Sequence, residues 1–264
     1  MMNTEPQHED YPQLREVTIV ILFTLLVTSG IGFLSSIFGM RKELFLLEGF
    51  IILPALIFTL RNKYPITKLF RLKPVSWQVA TVSMIIGLAF TVVSDEIDRV
   101  VQMLFPLPEP IGEAIQESIQ IQSTADFIII VFSAVFVAAV VEEMLFRGFV
   151  QTSFESTFDV TKAVMATSLI FSVVHFNPWW SIQILVFGII LGVMSWKSDS
   201  IIPSAIVHFI NNGIALLFSN MEKESYQWYL YNGHVSIPIL VIAGFITFYG
   251  FKVFYRFCEW SEEV

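Results

Sequence analysis

Long apolar runs recur along the chain, separated by short polar segments. Each run covers roughly 17–25 residues, the length that an α-helix needs to cross about 30 Å of hydrocarbon. The pattern predicts an all-α, polytopic integral membrane protein with about eight transmembrane helices and a core helical bundle. The predicted spans are Val17–Met40, Leu44–Leu60, Trp77–Val93, Phe127–Val150, Thr161–Phe176, Trp180–Trp196, Ile201–Ser219 and Val235–Phe257.

The polar segments predict the domain organisation. Residues 1–16 are polar and mostly acidic, without the basic region and cleavage site of a secretory signal, so the first run is predicted to be a retained anchor. Residues 17–258 then form a single membrane domain, and residues 259–264 form a C-terminal tail. In the segment after the third span, isoleucines four residues apart predict a short amphipathic helix at the membrane interface. They are Ile111, Ile115 and Ile119.

The positions of lysine and arginine predict the orientation in the membrane. The segment after the second span has no acidic residue and is predicted to be cytoplasmic, because cytoplasmic loops are enriched in basic residues. Alternation then places both termini in the cytoplasm and the acidic segment after the third span outside. Arg41 and Lys42 also fall outside, in mild conflict with the rule. The basic residues that set this orientation are Arg61, Lys63, Lys68, Arg71 and Lys73.

Composition agrees with a membrane protein and excludes some partners. Of the 264 residues, 55% are hydrophobic and 14% charged, whereas soluble domains carry about 25% charged residues. The formal net charge of −8 argues against a nucleic-acid partner. The single cysteine, Cys258, excludes an intrachain disulfide. The lipid bilayer is therefore the first partner that the sequence predicts, and a bacterial source would make it the plasma membrane.

Three charges near one end of the fourth span are the first candidates for chemistry. They are Glu142, Glu143 and Arg147 in the stretch V-V-E-E-M-L-F-R-G-F. An ionised group at the centre of a membrane helix costs about 2.5–3.5 kcal/mol, so such a cluster indicates a functional site. Glu143 and Arg147 are four residues apart and are predicted to pair. Glu142 points about a quarter-turn away and is freer to act as a base. Alternatively, the helix has already reached the interface and all three are solvated.

Two histidines and an asparagine lie at a compatible depth in other spans. At about 1.5 Å per residue, Glu142 and His208 lie about 12 Å and 11 Å from the inner membrane face, and His175 lies up to about 21 Å from it. Asn212 is one turn beyond His208 and shares its helix face. Glu142 and His175 would polarise a water, while His208 and Asn212 would donate hydrogen bonds to an oxyanion. The other histidines, His8 and His234, are predicted to be solvated bystanders.

A divalent metal is the other way to generate a nucleophile from these residues. Glutamate and histidine suit zinc, and the ligands would then be Glu142, His175 and His208. The chain has no H-E-x-x-H motif, so the spacing leaves zinc and a metal-free mechanism both open. In the sixth span, Gly188 and Gly192 form a G-x-x-x-G motif, which predicts close helix packing.

Together these motifs resemble the CPBP intramembrane proteases, the family of type II CAAX prenyl endopeptidases and bacteriocin-immunity proteins. The resemblance covers residues 125–215 and rests on E-E-x-x-x-R, F-x-x-x-H and H-x-x-x-N. The residues that match are Glu142, Glu143, Arg147, Phe171, His175, His208 and Asn212. It implies a membrane endopeptidase in which Glu142 and His175 activate water and His208 and Asn212 form the oxyanion site. Family members are described both as metalloproteases and as metal-independent glutamate proteases.

The resemblance implies a peptide or membrane-protein substrate, for instance a prenylated protein or a C-terminal tail. The F-R-L-K-P stretch at Phe70–Pro74 also resembles a family feature, with no role assigned. Two other functions stay open. One is a non-catalytic membrane protein that binds a partner or confers bacteriocin immunity. The other is a transporter with a proton relay, which the absence of an evident inverted repeat makes less favoured. The sequence does not determine the oligomeric state.

Overall fold

The computed structural model of the protein describes residues 11–38 and 48–262, and most of these residues are helical. Two 3₁₀ segments, Glu48–Phe50 and Lys223–Tyr229, lie between helices, and strands β1 (Leu230–Tyr231) and β2 (His234–Val235) form a small antiparallel hairpin. The helices are α1 (Leu14–Ile37), α2 (Leu53–Arg61), α3 (Ile66–Leu69), α4 (Trp77–Leu104), α5 (Glu109–Ile119), α6 (Thr124–Glu155), α7 (Val160–Val173), α8 (Ser181–Ser198), α9 (Ile202–Ser219) and α10 (Ile237–Glu262).

Six of the described helices are long and apolar enough to cross a membrane: α1, α4, α6, α8, α9 and α10. This confirms the all-α, polytopic membrane fold. The predicted fifth span is α7, whose 14 residues cover only about 21 Å. The second predicted span, Leu44–Leu60, begins outside the described residues and continues as a 3₁₀ turn and the nine-residue α2. Pro54 lies in the first turn of α2, where its missing N–H is tolerated and a new helix can begin.

Helix α4 continues beyond the predicted end of the third span at Val93. The predicted end lies just before the first charged residues of this segment, but several of these residues form hydrogen bonds within the helix. Arg99 Nε donates to Asp95 Oδ2 at 2.8 Å, and Gln102 Nε2 donates to Asp98 Oδ2 at 2.7 Å, each across one turn. Such i, i+4 pairs support a helix. Part of the segment predicted as an outer loop is therefore the last turns of α4.

Contacts near the connecting segments show which of these segments lie on the same side of the bundle. On one side, Arg71 pairs with Glu155 at the end of α6 and lies 3.7 Å from Asp199, just after α8. On the other side, Tyr229 Oη donates to Asp95 Oδ2 at 3.0 Å. The predicted helix α5 is confirmed, and its Gln116 Nε2 donates to the carbonyl at the end of α9. The grouping matches the predicted alternation of the spans, while the cytoplasmic orientation of the termini stays a prediction.

The F-R-L-K-P stretch lies directly against α6. Leu69, Phe70 and Arg71 are buried, and the rings of Phe70 and Phe149 stack at 6.2 Å. Gly148 permits this approach, since a Cβ at that position would lie 2.8 Å from the Phe70 Cα. The stretch therefore holds the segment before α4 against the helix that carries the charged cluster.

Substituting Gly148 tests this contact. We expect Gly148→Ala to lower the free energy of unfolding by about 1–3 kcal/mol, because backbone must move to accept the methyl group. Thermal or chemical unfolding in detergent measures the change. Gly244→Ala is the matched control on α10, where a Cβ meets nothing within 4 Å, and it should leave stability unchanged or raise it by up to about 1 kcal/mol. Equal stability of both variants would contradict the contact.

Candidate active site

A fully buried ion pair lies at the centre of the bundle. Arg147 Nη1 and Glu143 Oε1 are 2.8 Å apart, and both side chains have no exposed surface. The pair forms across one turn of α6, as the i, i+4 spacing predicts. Buried charges need such pairing, because removing either ion from water costs several kcal/mol. The interpretation that these two residues are solvated at the interface is therefore wrong.

Helix α6 carries this pair between two π-helical stretches, Val131–Val137 and Met144–Val150. A π-helical turn adds a residue to the turn and changes which side chains face a neighbouring helix. Such stretches are frequent at functional sites. Glu142 and Glu143 end the α-helical turn between the two stretches, and Arg147 lies within the second.

The G-x-x-x-G motif of α8 receives side chains from α6. Arg147 Nη2 donates to the Gly188 carbonyl at 3.3 Å, and Gln151 Nε2 donates to the Gly192 carbonyl at 2.9 Å. A Cβ on Gly188 would lie 3.0 Å from Ser168 Cβ, and one on Gly192 would lie 2.9 Å from Gln151 Oε1. The close packing predicted from the motif is confirmed, and the two glycine carbonyls also serve as buried acceptors.

His208 joins α9 to both glutamates of α6. Its Nδ1 lies 3.0 Å from Glu143 Oε1, and its Nε2 lies 3.9 Å from Glu142 Oε2. A carboxylate only accepts hydrogen bonds, so Nδ1 carries a proton and the carboxylate of Glu143 orients the ring. Nε2 then faces Glu142, as an acceptor in the neutral ring and a donor in the protonated one. Glu143 is thus committed to Arg147 and His208.

Glu142 is left with an oxygen that no described residue satisfies. Its side chain is 16% exposed, and its Oε2 is buried without a hydrogen-bond partner in the described part of the chain. The separation of 3.9 Å from His208 Nε2 is too long for a direct hydrogen bond and is compatible with a bridging water. The structure therefore leaves Glu142 the freer of the two carboxylates, as its position on the helix predicts.

Phe171 links the three motifs through its ring. The Arg147 guanidinium lies 4.1 Å from the ring centroid, and the rings of His175 and His208 lie 4.7 Å and 6.1 Å away. His175 follows the end of α7 and is exposed, and its Nδ1 lies 2.6 Å from the Phe171 carbonyl. Because a carbonyl accepts, the proton is on Nδ1 and Nε2 is free. Within residues 11–38 and 48–262, no carboxylate lies within 4 Å of His175.

Asn212 contacts the first π-helical stretch of α6. Its Nδ2 donates to the Ala134 carbonyl at 3.0 Å, which leaves the second N–H of the amide for another acceptor. Asn212 lies one turn beyond His208 on α9, and the two residues contact α6 at Ala134 and at the glutamates. The structure therefore places Glu142, Glu143, Arg147, His208 and Asn212 along one helix–helix contact, with His175 joined to it through Phe171.

Comparison with known proteins identifies the same region. Residues 124–214, about a third of the chain, match the family model described as "Type II CAAX prenyl endopeptidase Rce1-like". Residues 124–214 are therefore similar to that family. The resemblance inferred from the three motifs is thereby confirmed, and the matched residues run from α6 to α9. A search of curated proteins and a search of solved structures found no match.

The geometry of these residues does not fit a zinc site. Zinc needs at least three protein ligands at about 2.0–2.3 Å. Among the residues that the structure describes, no three His, Cys, Asp or Glu side chains are arranged to hold a metal ion. Glu142, His175 and His208, the ligands expected for zinc, are not gathered around one point. No step of the reaction is therefore derived through a metal.

The sequence analysis missed a third carboxylate, that of Glu48. It lies in the 3₁₀ turn outside the six membrane-crossing helices, and burial together with the charge of Glu142 raises its pKa to about 8. In the sequence, Glu48 is indicated only as a single glutamate near the start of an apolar run. Of the two histidines predicted to be bystanders, His8 lies outside the described residues, and His234 is not free, since its Nδ1 lies 2.7 Å from Glu96 Oε1.

Removing Arg147 tests the buried ion pair. We expect Arg147→Met to cost about 3–5 kcal/mol of unfolding free energy, because Glu143 is left buried without its cation. The double variant Glu143→Gln/Arg147→Met should lose clearly less, since no unpaired charge remains. Lys162→Met breaks the exposed pair with Asp159 and should leave the melting temperature unchanged. A double variant as unstable as Arg147→Met would contradict this.

The pKa of Glu48 predicts how stability depends on pH. A proton binds more tightly to this carboxyl in the fold than in the unfolded chain, where its pKa is near 4.5. The stabilisation is therefore complete below about pH 4.5 and is lost as the pH rises through about 8. We expect the melting temperature to fall over this range in the wild type and to fall less in Glu48→Gln. Identical pH dependence in both proteins would contradict the shift.

Proposed function

We propose that the protein is an intramembrane endopeptidase in which Glu142 activates the attacking water. One observation carries the proposal: Glu142 keeps a buried oxygen without a described partner, 3.9 Å from the Nε2 of a histidine oriented by Glu143. Glu143 also keeps one unpartnered oxygen, but its other oxygen is held by Arg147 and His208, whereas no described residue forms a hydrogen bond with the Glu142 carboxylate. The match to a family of CAAX endopeptidases supports the same reaction class.

The proposed reaction begins with a water held between Glu142 Oε2 and His208 Nε2. Glu142 takes a proton from the water, and the hydroxide oxygen adds to the carbonyl carbon of the scissile peptide bond. The oxygen of the tetrahedral intermediate then carries the negative charge. The second N–H of Asn212 and the Nε2–H of His208, which is protonated throughout the proposed reaction, are the donors for it. Protonated Glu142 gives its proton to the amide nitrogen, the C–N bond breaks, and an amine and a carboxylic acid leave.

His175 has a different position from the one that the family scheme suggests. In that scheme it activates the water with Glu142, but His208 is the imidazole beside Glu142 in the described chain. The free Nε2 of His175 lies at the exposed end of α7, next to the Phe171 ring. We propose that His175 exchanges protons with Glu142 through water and so assists the base from the open side of the site.

The proposed substrate is a peptide bond of a membrane-associated protein, such as a prenylated protein or a C-terminal tail. Glu142 lies within a helix apolar enough to cross the membrane, so a substrate would reach it from the bilayer or from the adjoining interface. The alternative is a membrane protein that binds a partner without cleaving it, and the test below also separates this function from proteolysis.

Replacing Glu142 tests the proposed base. Cleavage of a fluorogenic peptide library and of a farnesylated reporter peptide should fall by about 10²–10⁴-fold in Glu142→Gln, because an amide cannot take the proton. The detergent-purified variant should keep the helicity and melting temperature of the wild type. Adding a chelator to the wild type tests separately whether a metal contributes.

The matched control is Glu222→Gln, which makes the same change at an exposed position before the second 3₁₀ segment. It should cleave at the wild-type rate. Equal cleavage by the wild type and by Glu142→Gln would overturn the proposal and indicate a contaminating protease. A partner-dependent phenotype that survives Glu142→Gln would then favour the non-catalytic function.

A further inference from the structure

Glu48 lies against the part of α6 that carries the glutamates. Its 3₁₀ turn, Glu48–Phe50, packs on the first π-helical stretch and on the turn Ala138–Glu143. The contact is close, since a Cβ on Gly49 would lie 3.4 Å from Val137 Cγ1. A segment that precedes residues 124–214 in sequence therefore contacts the turn that carries the proposed catalytic glutamate.

The carboxyl group of Glu48 has an unsatisfied oxygen at this contact. Its Oε2 is buried and accepts no hydrogen bond from any described residue, and the same is true of Glu142 Oε2. The turn that carries Glu48 packs on the segment that ends at Glu142 and Glu143, and the charge of Glu142 contributes to the raised pKa of Glu48. Leaving a buried polar group unpaired costs about 1–3 kcal/mol. A bound water would satisfy both.

Glu143, Arg147 and His208 are the other charged or titratable groups next to Glu142. From α6, Glu143 Oε1 is occupied by Arg147 and His208, while its Oε2 is also unpartnered. From α9, His208 directs Nε2 at Glu142 from 3.9 Å. The His208 side chain is only 4% exposed, and no described residue forms a hydrogen bond with its Nε2. A buried water typically makes two to four hydrogen bonds. Glu48 Oε2, Glu142 Oε2 and His208 Nε2 are three polar atoms that would provide them.

We propose that Glu48 is a further residue of the active site, which holds the attacking water together with Glu142 and His208. The inference rests on the proposed function, because the water is the one that Glu142 would activate. Glu48 orients this water by a hydrogen bond while Glu142 takes its proton. No bond to Glu48 is made or broken. The first part of the chain thus contributes a side chain to chemistry that is otherwise located on α6–α9.

Replacing a residue that serves catalysis and replacing a residue that stabilises the fold should change the melting temperature in opposite directions. Replacing an unpaired buried carboxyl by an apolar side chain of similar size removes a desolvation cost and is often stabilising. A glutamate that holds the fold together would give the opposite result. Glu48→Leu should therefore raise the melting temperature by about 2–4 °C. In the same variant, kcat should fall at least about tenfold with KM unchanged, because the water loses one hydrogen bond.

The experiment measures kcat, KM and melting temperature for the full-length wild type, Glu48→Leu, Glu48→Gln and Glu142→Gln in detergent. Glu48→Gln keeps a side-chain carbonyl that can bind the water, and it should retain kcat within about threefold of the wild type. The matched control is Glu222→Leu, the same change at an exposed glutamate, which should leave all three quantities unchanged.

The outcomes separate this inference from the proposed function. A higher melting temperature and a lower kcat in Glu48→Leu, with activity retained in Glu48→Gln, supports it. Cleavage that depends on Glu142 but is unchanged in Glu48→Leu overturns this inference alone. A fall of the melting temperature together with kcat assigns Glu48 a structural role and also overturns it. Absence of Glu142-dependent cleavage in the wild type overturns both the proposed function and the role of Glu48.

Discussion

The ion pair between Glu143 and Arg147 is the interaction on which the rest of the site depends. Both side chains are fully buried, so neither charge can be balanced by water. Arg147 has further electron-rich partners in the Gly188 carbonyl and the Phe171 ring. The pair therefore joins α6, α7 and α8 at one point. The ion pair also fixes the position of the Glu143 carboxylate, which accepts a hydrogen bond from His208 Nδ1 on α9.

The fixed pair determines which carboxylate is available for chemistry. Neighbouring glutamates on one helix point in different directions, and only Glu143 faces the arginine. Glu142 is left with a partnerless oxygen beside His208, and Oε2 of Glu143 and Oε2 of Glu48 also lack a hydrogen-bond partner among the described residues. Active sites commonly keep polar groups in such unsatisfied positions.

Small residues make this arrangement sterically accessible. Gly188 and Gly192 bring α8 close enough to α7 for their carbonyls to accept from α6, and Gly148 lets the Phe70 backbone lie on the opposite side of α6. Each glycine is surrounded by backbone or by buried side chains, so the helix spacing around α6 is tightly constrained. The π-helical stretches complete this geometry, because Asn212 donates to a carbonyl within the first of them.

Local information in the sequence determined the helical membrane fold, most span positions and the pairing of Glu143 with Arg147. Hydrophobic run length and i, i+4 spacing depend only on neighbours along the chain. The tertiary structure alone decided that His208, and not His175, faces Glu142, and that the turn carrying Glu48 packs on the same part of α6. These contacts depend on how helices distant in sequence rotate and shift against each other. Neither π-helical stretches nor long-range packing is encoded in residue spacing, so no count along the chain predicts them.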